Sequence, residues 1–260
     1  MTVTMSSRQW KTDVLLTGSR LGATSVLLTN GRHRICVDTG MAHEAPLLVA
    51  ALARRGLAPG DIPVIINTHF HIDHVLNNSL FPQARIYATQ KSYDWCRSLY
   101  SDLADNASWE KLVLKYYPET LDYERARELM GQLRRLGLRW WDLKRVGAPE
   151  QFVWIESHPL PEGLEGVVTS GHVPGHLSLV VGGESRPVIV AGDAVLTREH
   201  DDRVLTMIPY NREQFHRDRD AILALAGRVV PGHDGEFENA ACPAPSESAV
   251  GSPSLPGSSG

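Results

Sequence analysis

The chain has 260 residues, a formal net charge of −4 and an apolar share of 42%. This length suffices for one large domain, and the slightly acidic balance argues against a broad attraction to nucleic acid or anionic membrane. The sequence contains no apolar run near the roughly 20 residues that span a bilayer, and residues 1–11 contain no apolar core of a secretion signal. The three cysteines, Cys36, Cys96 and Cys242, are scattered, so we expect a reducing cytoplasm and no disulfide framework.

The first quarter of the chain predicts strands followed by a helix and another strand. Apolar runs at residues 14–16, 25–28 and 34–37 read as strands, and Asn30-Gly31 predicts a hairpin turn between the second and third. Residues 44–55 predict a helix that tolerates Pro46 in its first turn and ends at Gly56. A strand at residues 64–67 follows.

The same order of elements returns near the other end of the chain. Residues 213–226 predict a helix that ends at Gly227, and residues 228–230 predict a strand that leads to His233. This repetition predicts two similar halves, packed sheet to sheet with helices outside. From residue 240 onward Pro, Ser and Gly dominate, so we expect residues 240–260 to form a disordered tail.

Residues 93–156 predict a helical insert with an unusual content of aromatic side chains. An apolar stripe at helical spacing contains Ala126, Leu129, Met130, Leu133 and Leu136. The aromatic residues predicted to form a substrate wall are Trp95, Trp109, Tyr116, Trp140 and Trp141. The alternative is a helical pair that simply packs its aromatics against the sandwich. The basic residues between 125 and 145 form a solvated face or, alternatively, dock an acyl carrier protein or a substrate carboxylate.

The strongest chemical signal is a group of metal-binding residue types directly after the strand at residues 64–67. His69 and His71 are two apart, so in extended chain both side chains point the same way and can hold one ion. Asp73 and His74 follow where the chain must turn and can reach a second ion. Imidazoles suit zinc or iron, and a carboxylate suits a hard, water-carrying ion.

Three later apolar runs also end in a potential ligand. The pairs are Gly171-His172, Gly192-Asp193 and Gly232-His233. Because sites collect at the carboxyl ends of strands in α/β sheets, these side chains are expected to converge on one cleft. A single histidine after a strand is more often structural, but the joint occurrence of these pairs with the cluster at residues 69–74 predicts a metal centre.

The segment Thr68-His69-Phe70-His71-Ile72-Asp73-His74 matches the T-H-x-H-x-D-H signature of the metallo-β-lactamase-fold hydrolase superfamily. Val37-Asp38-Thr39-Gly40 resembles the early Asp-Gly turn of that family. The resemblance spans roughly residues 14–236. It implies an α/β fold, a four-layer αββα sandwich, as a single domain over residues 1–239, with the metals at one edge and residues 93–156 as an insert or lid.

The resemblance also implies roles for individual residues. His69, His71 and His172 would hold the first metal, whereas Asp73, His74 and His233 would hold the second. Asp193 would bridge both. Two divalent ions are expected, with Zn²⁺ favoured over Mn²⁺ or Fe²⁺. The residues expected to support the ligands are Asp38 and His176, and the further candidates for lining the substrate entrance are Leu196 and His200, the latter with a solvated loop as its alternative.

The expected activity is hydrolysis of an activated acyl bond in a small molecule: a thioester, a lactone or an ester. A metal-bridging hydroxide would attack, with Asp73 as the catalytic residue that orients it. One alternative is a mononuclear iron dioxygenase of the persulfide dioxygenase kind. A less favoured alternative is an RNA-processing nuclease, which only the basic segment at 125–145 supports. No nucleic acid or membrane partner is expected, and the oligomeric state stays open.

Overall fold

The computed structural model describes residues 9–19, 21–120, 123–182, 187–199, 209–225 and 227–239. The side chains of residues 136, 137 and 140 are not part of this description. The predicted tail at 240–260, Cys242 and His200 therefore lie outside the described residues, as does the side chain of Trp140.

Two sheets and several helices form the described part of the chain. The strands are β1 (Lys11–Leu16), β2 (Ser25–Thr29), β3 (Arg34–Val37), β4 (Val64–Ile66), β5 (Arg85–Ala88), β6 (Phe152–Trp154), β7 (Leu164–Val168), β8 (Leu177–Val181), β9 (Val188–Gly192), β10 (Arg228–Pro231) and β11 (Phe237–Glu238). The α-helices are α1 (Ala45–Ala53), α2 (Ile72–Val75), α3 (Gln90–Ala104), α4 (Trp109–Tyr116), α5 (Tyr123–Trp140), α6 (Leu143–Val146) and α7 (Arg212–Leu225). Short 3₁₀ turns lie at Ala42–Glu44, Pro59–Asp61, Asn78–Leu80 and Pro149–Gln151.

The first sheet has the order β1-β2-β3-β4-β5-β6, and the second has the order β11-β10-β9-β8-β7. Strands β3 to β6 run parallel, as do β9 and β10. The predicted hairpin between β2 and β3 is confirmed, with Thr29 opposite Arg34. The Asn30 side chain closes its turn by accepting hydrogen bonds from the backbone N–H groups of Arg32 and His33, at 3.1 and 2.8 Å.

Three apolar layers hold the sheets and outer helices together. Between the sheets, Val26 and Ile66 of the first pack in one cluster with Leu179 and Val230 of the second. Helix α1 covers the outer face of the first sheet, where its Leu48 and Leu52 share a cluster with Ile65. Helix α7 covers the outer face of the second sheet, where its Ile222 shares a cluster with Ile189 and Val229. Burial of these faces is the main driving force for this arrangement. The αββα sandwich implied by the sequence resemblance is therefore confirmed.

Helices α3, α4 and α5 share one apolar core with the loop that follows β4. Leu99, Leu112 and Met130 are buried in the same cluster as Phe70 and Val75. The predicted apolar stripe of α5 faces this cluster through Ala126, Leu129, Met130 and Leu133.

The boundaries of the predicted insert differ from those in the structure. Helix α3 begins at Gln90, before residue 93, and the stretch 152–154 is strand β6, which pairs in parallel with β5. Val153 is buried there, although β6 is the edge strand of the first sheet. The last residues of the predicted insert thus belong to the sheet itself.

The bounds of two helices also differ from the prediction. Helix α1 begins at Ala45 and not at residue 44, because the Glu44 carboxylate accepts a hydrogen bond from the Met41 N–H at 2.8 Å and closes the preceding 3₁₀ turn. It ends at Ala53 instead of residue 55. Helix α7 begins at Arg212, one residue earlier than predicted. Among the described residues, no helix combines the length and apolarity needed to cross a bilayer.

Candidate metal centre

Backbone hydrogen bonds hold the segment after β4 to both sheets. The Leu177 N–H of β8 donates to the Thr68 carbonyl at 2.8 Å, and the Thr39 N–H donates to the His74 carbonyl at 2.7 Å. His71 is the residue that precedes α2. This anchoring turns the predicted ligands of the loop toward those that follow β7, β9 and β10.

The first group of ligand atoms comes from three histidines and an aspartate. The Nε2 atom of His172 lies 3.2 Å from His69 Nε2 and 3.1 Å from His71 Nδ1. Asp193 Oδ2 lies 3.2 Å from the same His172 nitrogen. The sequence-predicted residues of the first metal are thus brought together in one place.

The second group adjoins the first and consists of Asp73, His74 and His233. Asp73 Oδ2 lies 3.4 Å from His233 Nε2 and 3.9 Å from His74 Nε2. Asp193 faces this group as well, with Oδ1 3.3 Å from His74 Nε2 and Oδ2 3.4 Å from His233 Nε2. Its carboxylate therefore lies between the two groups. Asp73 has the most exposed of these carboxylates, with 20% of its side chain accessible against 4% for Asp193.

The chemistry of these atoms fits divalent metal ions. A single ring nitrogen of His172 faces two other ring nitrogens at hydrogen-bond distance, and it carries either one proton or one lone pair, so it cannot donate to both. Ligand nitrogens around a tetrahedral zinc ion would be about 3.3 Å apart, close to these separations. In addition, His74 Nε2 and Asp193 Oδ1 are buried 3.3 Å apart and have no other hydrogen-bond partner among the described residues, as expected of atoms that would face an ion.

The histidines of the first group are held in the neutral form that binds metals. Burial lowers the pKa of His71 to about 4. Burial, together with the neighbouring imidazoles, also holds the pKa of His69 well below its usual value. The pKa of His172 is depressed as well, again mainly by burial. Because a protonated imidazole has no lone pair to offer, these shifts favour metal binding.

The second group has the opposite electrostatic character. Burial lowers the pKa of His74 and His233, but the charge of Asp193 and its neighbours outweighs burial, so the pKa of His74 rises well above its usual value and that of His233 rises to about 9. Burial raises the pKa of Asp193, yet the charges of His233 and His74 bring it well below its usual value. This end of the centre concentrates negative charge that a cation would balance.

Asp38 lies beneath the centre and orients two of its residues. Its Oδ2 atom accepts hydrogen bonds from His74 Nδ1 and from the Thr68 hydroxyl, both at 2.7 Å, and its Oδ1 accepts from the Thr68 N–H at 2.9 Å. When His74 is neutral, as metal binding requires, donation of Nδ1–H to Asp38 leaves its lone pair on Nε2, which faces the second group. Asp38 has a φ of +52°, a left-handed conformation that Asp and Asn adopt more readily than most residues.

His176 supports Asp193 from the second sheet. Its Nε2 atom accepts a hydrogen bond from the Asp193 N–H at 3.0 Å, and its Nδ1 lies 2.7 Å from the Thr169 hydroxyl. Thr169 lies 3.0 Å from the Ser178 hydroxyl, which donates to the Ala191 carbonyl at 2.8 Å. Because the Ser178 hydroxyl donates to that carbonyl, it accepts from the Thr169 hydroxyl, which in turn accepts from His176 Nδ1. His176 is therefore neutral, with its proton on Nδ1. Burial lowers the pKa of His176 to about 3, in agreement.

Two of the glycines that precede ligands are required by close contacts. A Cβ atom on Gly232 would lie 2.0 Å from Asp193 Oδ1, inside the space that the carboxylate needs. Gly192 has a φ of +52°, and a Cβ there would lie 2.8 Å from His176 Nε2. The Gly192-Asp193 and Gly232-His233 pairs read from the sequence therefore reflect tight packing around Asp193, whereas a Cβ atom on Gly171 would meet the backbone of Phe215 in α7.

The predicted aromatic wall is divided between the cleft and the core of the insert. Trp95 lies beside the centre, with its ring centroid 6.3 Å from that of His71. Tyr116 is buried behind Trp95 and donates its hydroxyl to Asp102 at 2.7 Å. Trp109 packs against the insert core, and Trp141 stacks on Tyr100 at 4.4 Å within it.

The remaining candidate for the entrance, Leu196, is 3% exposed and packs against Phe215. Its backbone carbonyl accepts a hydrogen bond from the His233 N–H at 2.8 Å, so the residue positions a ligand through its main chain. His200 and the side chain of Trp140 lie outside the described residues, and their predicted roles stay predictions.

Sequence reasoning missed three contributors to the site. The Thr68 hydroxyl bonds to Asp38 and lies 3.1 Å from His69 Nδ1, and only its place in the quoted signature could have revealed it. The Ser19 carbonyl accepts a hydrogen bond from His233 Nδ1 at 2.8 Å, but a backbone group leaves no mark in the sequence. Tyr210 contacts Trp95, 115 positions earlier in the chain, at a centroid distance of 6.2 Å, and no local pattern indicates it.

Comparison with known proteins gives consistent results. The family model described as the metallo-beta-lactamase superfamily matches residues 18–233. Proteins described as metallo-beta-lactamase domain-containing protein 1 are 31% identical to this chain in two vertebrates. The Xenopus laevis protein aligns over 82% of this chain and 71% of its own length, and the Homo sapiens protein over 83% and 64%. The chain therefore spans about two thirds of the length of these relatives.

Solved structures with the same fold include one from Thermus thermophilus, described as a metallo-beta-lactamase family protein. It has a TM-score of 0.59 and 23% identity, and the match covers 88% of this chain and 75% of that chain. A dizinc quorum-quenching lactonase in complex with a product has a TM-score of 0.52 and 16% identity, with 87% and 85% of the two chains covered. At these identities the likeness establishes the fold alone.

Proposed function

The chain belongs to the metallo-beta-lactamase superfamily, and on that premise we propose that it is a dinuclear metal-dependent hydrolase of activated acyl bonds in small molecules. The substrate bond is a thioester, a lactone or an ester. The observation that carries the proposal is the position of the Asp193 carboxylate, which has one oxygen 3.2 Å from His172 of the first group and the other 3.3 Å from His74 of the second. In this position Asp193 would help to hold an ion in each group, together with the histidines of that group.

Bound divalent ions would lower the pKa of water and polarise the carbonyl group of the substrate. The protein supplies the remaining functions. Buried His69 and His172 exclude bulk water from one side, and Asp38 fixes the orientation of His74. Asp73 has the accessible carboxylate of the second group, so we assign to it the orientation of the attacking water and the acceptance of its proton.

The acyl class is supported by chemistry and by likeness of fold. Polarisation of a carbonyl by a cation makes attack by water feasible without a serine or cysteine nucleophile. The two described cysteines, Cys36 and Cys96, are buried, and burial raises the pKa of both thiols, which disfavours the nucleophilic thiolate. The lactonase with the same fold acts on an acyl compound.

The first experiment combines metal analysis with a substrate panel. Protein loaded with Zn²⁺, Mn²⁺ or Fe²⁺ is assayed against p-nitrophenyl esters, acyl thioesters and lactones. We expect about two ions per chain, hydrolysis of at least one acyl class, loss of activity with chelator and recovery on adding the metal back. One iron per chain with oxygen consumption would favour the dioxygenase alternative. Salt-sensitive binding of RNA would favour the nuclease.

The second experiment replaces the residue assigned to the attacking water. Asp73→Asn should lower kcat by roughly a hundredfold to ten-thousandfold, since proton transfer loses its acceptor. Metal content and the thermal midpoint are measured in parallel, because the variant also alters a predicted ligand. Asp94→Asn, an exposed position on α3, is the control and should leave kcat unchanged. Undiminished turnover in Asp73→Asn with both ions retained would show that another group activates the water.

A further inference from the structure

The two ligand groups have neighbours of unlike character. Trp95 and Tyr210 lie on the side of the first ligand group, and both are partly exposed. Their rings meet almost at right angles, with centroids 6.2 Å apart and an interplanar angle of 84°. The Trp95 ring continues to His71, 6.3 Å away. An accessible aromatic surface therefore borders the first group.

The two rings come from separate parts of the chain, and each is held close to a predicted ligand. Trp95 belongs to α3 in the insert and contacts His71, whereas Tyr210 precedes α7 and donates its N–H to the His172 carbonyl at 2.9 Å. The next residue, Asn211, donates its side-chain amide to Glu119 of the insert at 2.8 Å. The ring pair is thus fixed from both sides with respect to the first group.

The side of the second group presents polar atoms instead. Asp73 exposes part of its carboxylate there, and His233 is held by its hydrogen bond to the Ser19 carbonyl. An apolar chain placed against Asp73 would desolvate the carboxylate without giving it a partner, which is unfavourable. The aromatic side carries no such cost, so it favours an apolar group.

We propose that Trp95 and Tyr210 form the subsite for an apolar acyl chain, so that the leaving group of the substrate lies over Asp73 and His233. This inference rests on the proposed function, and it narrows the substrate class to acyl compounds with an apolar aliphatic chain. It also makes Tyr210, a residue outside the signature, a determinant of specificity. Each methylene group buried against the rings is worth about fourfold in binding.

The test compares acyl chains of different length on one leaving group. In the metal-loaded wild type, kcat/KM for p-nitrophenyl octanoate should exceed that for the acetate. Trp95→Leu and Tyr210→Leu should each lower the octanoate-to-acetate ratio by about tenfold, mainly through KM, with metal content unchanged. The controls are Trp154→Leu, a partly buried tryptophan stacked on Phe152, and Tyr123→Leu, which is exposed on α5. Both controls should keep the wild-type ratio.

A second readout does not depend on turnover. Calorimetric titration of the metal-loaded protein with octanoate and with acetate should show tighter binding of octanoate, and the two variants should lose that advantage. If esters are hydrolysed but both variants keep the chain-length preference, the subsite is wrong and the proposed function stands. If no acyl compound is hydrolysed but the variants lose octanoate binding, the subsite stands and the proposed function is wrong. If Trp95→Leu does not fold, Trp95→Phe and Tyr210→Leu replace it, and both should lower the octanoate-to-acetate ratio of kcat/KM.

Discussion

Four of the seven predicted ligands lie in the six-residue stretch 69–74 that follows β4. The other three come one each after β7, β9 and β10. The stretch 69–74 is held in place by the Asp38 carboxylate, which accepts hydrogen bonds from His74 and from the adjacent Thr68. The turns of the second sheet are ordered by close backbone packing, in which Gly232 leaves the room that Asp193 occupies. The stretch 69–74 thus depends on hydrogen bonds to Asp38. The turns of the second sheet depend on glycines that have no side chain.

This difference indicates how each half should respond to substitution. If the residue at position 38 loses its charge but keeps its shape, the affinity for the ion held by His74 should fall moderately. A tight turn that receives a methyl group has no room to adjust, because the nearest atom is a carboxylate oxygen between two ligand groups. The variants below test this contrast.

The largest effect is expected for Gly232→Ala. The added Cβ would lie 2.0 Å from Asp193 Oδ1, so the Asp193 carboxylate or the backbone of the turn must move. We expect metal affinity to fall by roughly a hundredfold or more, with activity falling in parallel. Competition with a metal indicator dye measures the affinity, and circular dichroism checks the fold. Gly60→Ala is the matched control, since a Cβ there meets nothing within 4 Å. Equal metal affinity in the two variants would contradict the tight packing around Asp193.

An intermediate effect is expected for Asp38→Asn. Asn tolerates the left-handed backbone at this position and keeps some hydrogen-bonding capacity, but it removes the charge that orients His74. The affinity for the ion held by His74 should fall about tenfold to a hundredfold. Stepwise metal titration should show the loss at one ion and not at the other. An equal loss of affinity for both ions would mean that Asp38 orders both ligand groups. Asp13→Asn, on β1, controls for the charge change.

The smallest effect on metal affinity is expected for His176→Ala, which removes support without removing a predicted ligand. The Asp193 N–H and the Thr169 hydroxyl would lose buried partners, so the free energy of unfolding should fall by about 1–3 kcal/mol. Urea unfolding measures this loss, and His158→Ala, at an exposed position, should cause almost none. A metal affinity reduced as strongly as in Gly232→Ala would assign His176 to the ligands themselves.

The contrast between the two halves also explains what the sequence could predict. The loop at residues 69–74 is contiguous and follows a recognisable strand, so its position needed no knowledge of the fold. The turns ending in His172, Asp193 and His233 were recognisable because each has a glycine before its ligand, and the structure supplies a reason in packing. Strands β1 to β4 and β10, together with helices α1 and α7, followed from apolar runs and helix stops, whereas β5 and β8 were not predicted.

What escaped prediction depends on contacts between distant parts of the chain. Strand β6 is only three residues long and follows a helical region, so pairing with β5, and not local pattern, makes it a strand. Trp95 and Trp141 look alike in the sequence, yet one borders the cleft and the other stacks on Tyr100 in the insert core. Tyr210 belongs to no pattern at all, since its importance arises only where it meets Trp95.

The anchoring of the last ligand turn has a consequence for synthesis on the ribosome. The Thr24 N–H donates to the Gly232 carbonyl at 2.7 Å, and the Thr24 hydroxyl donates to the Asp234 carbonyl across 210 positions of sequence. A nascent chain can display the loop at residues 69–74 early, but it cannot close the second ligand group until residue 233 has emerged and returned to the first hairpin. Ion capture by that group should therefore be a late step, completed after translation has passed nearly all of the described chain.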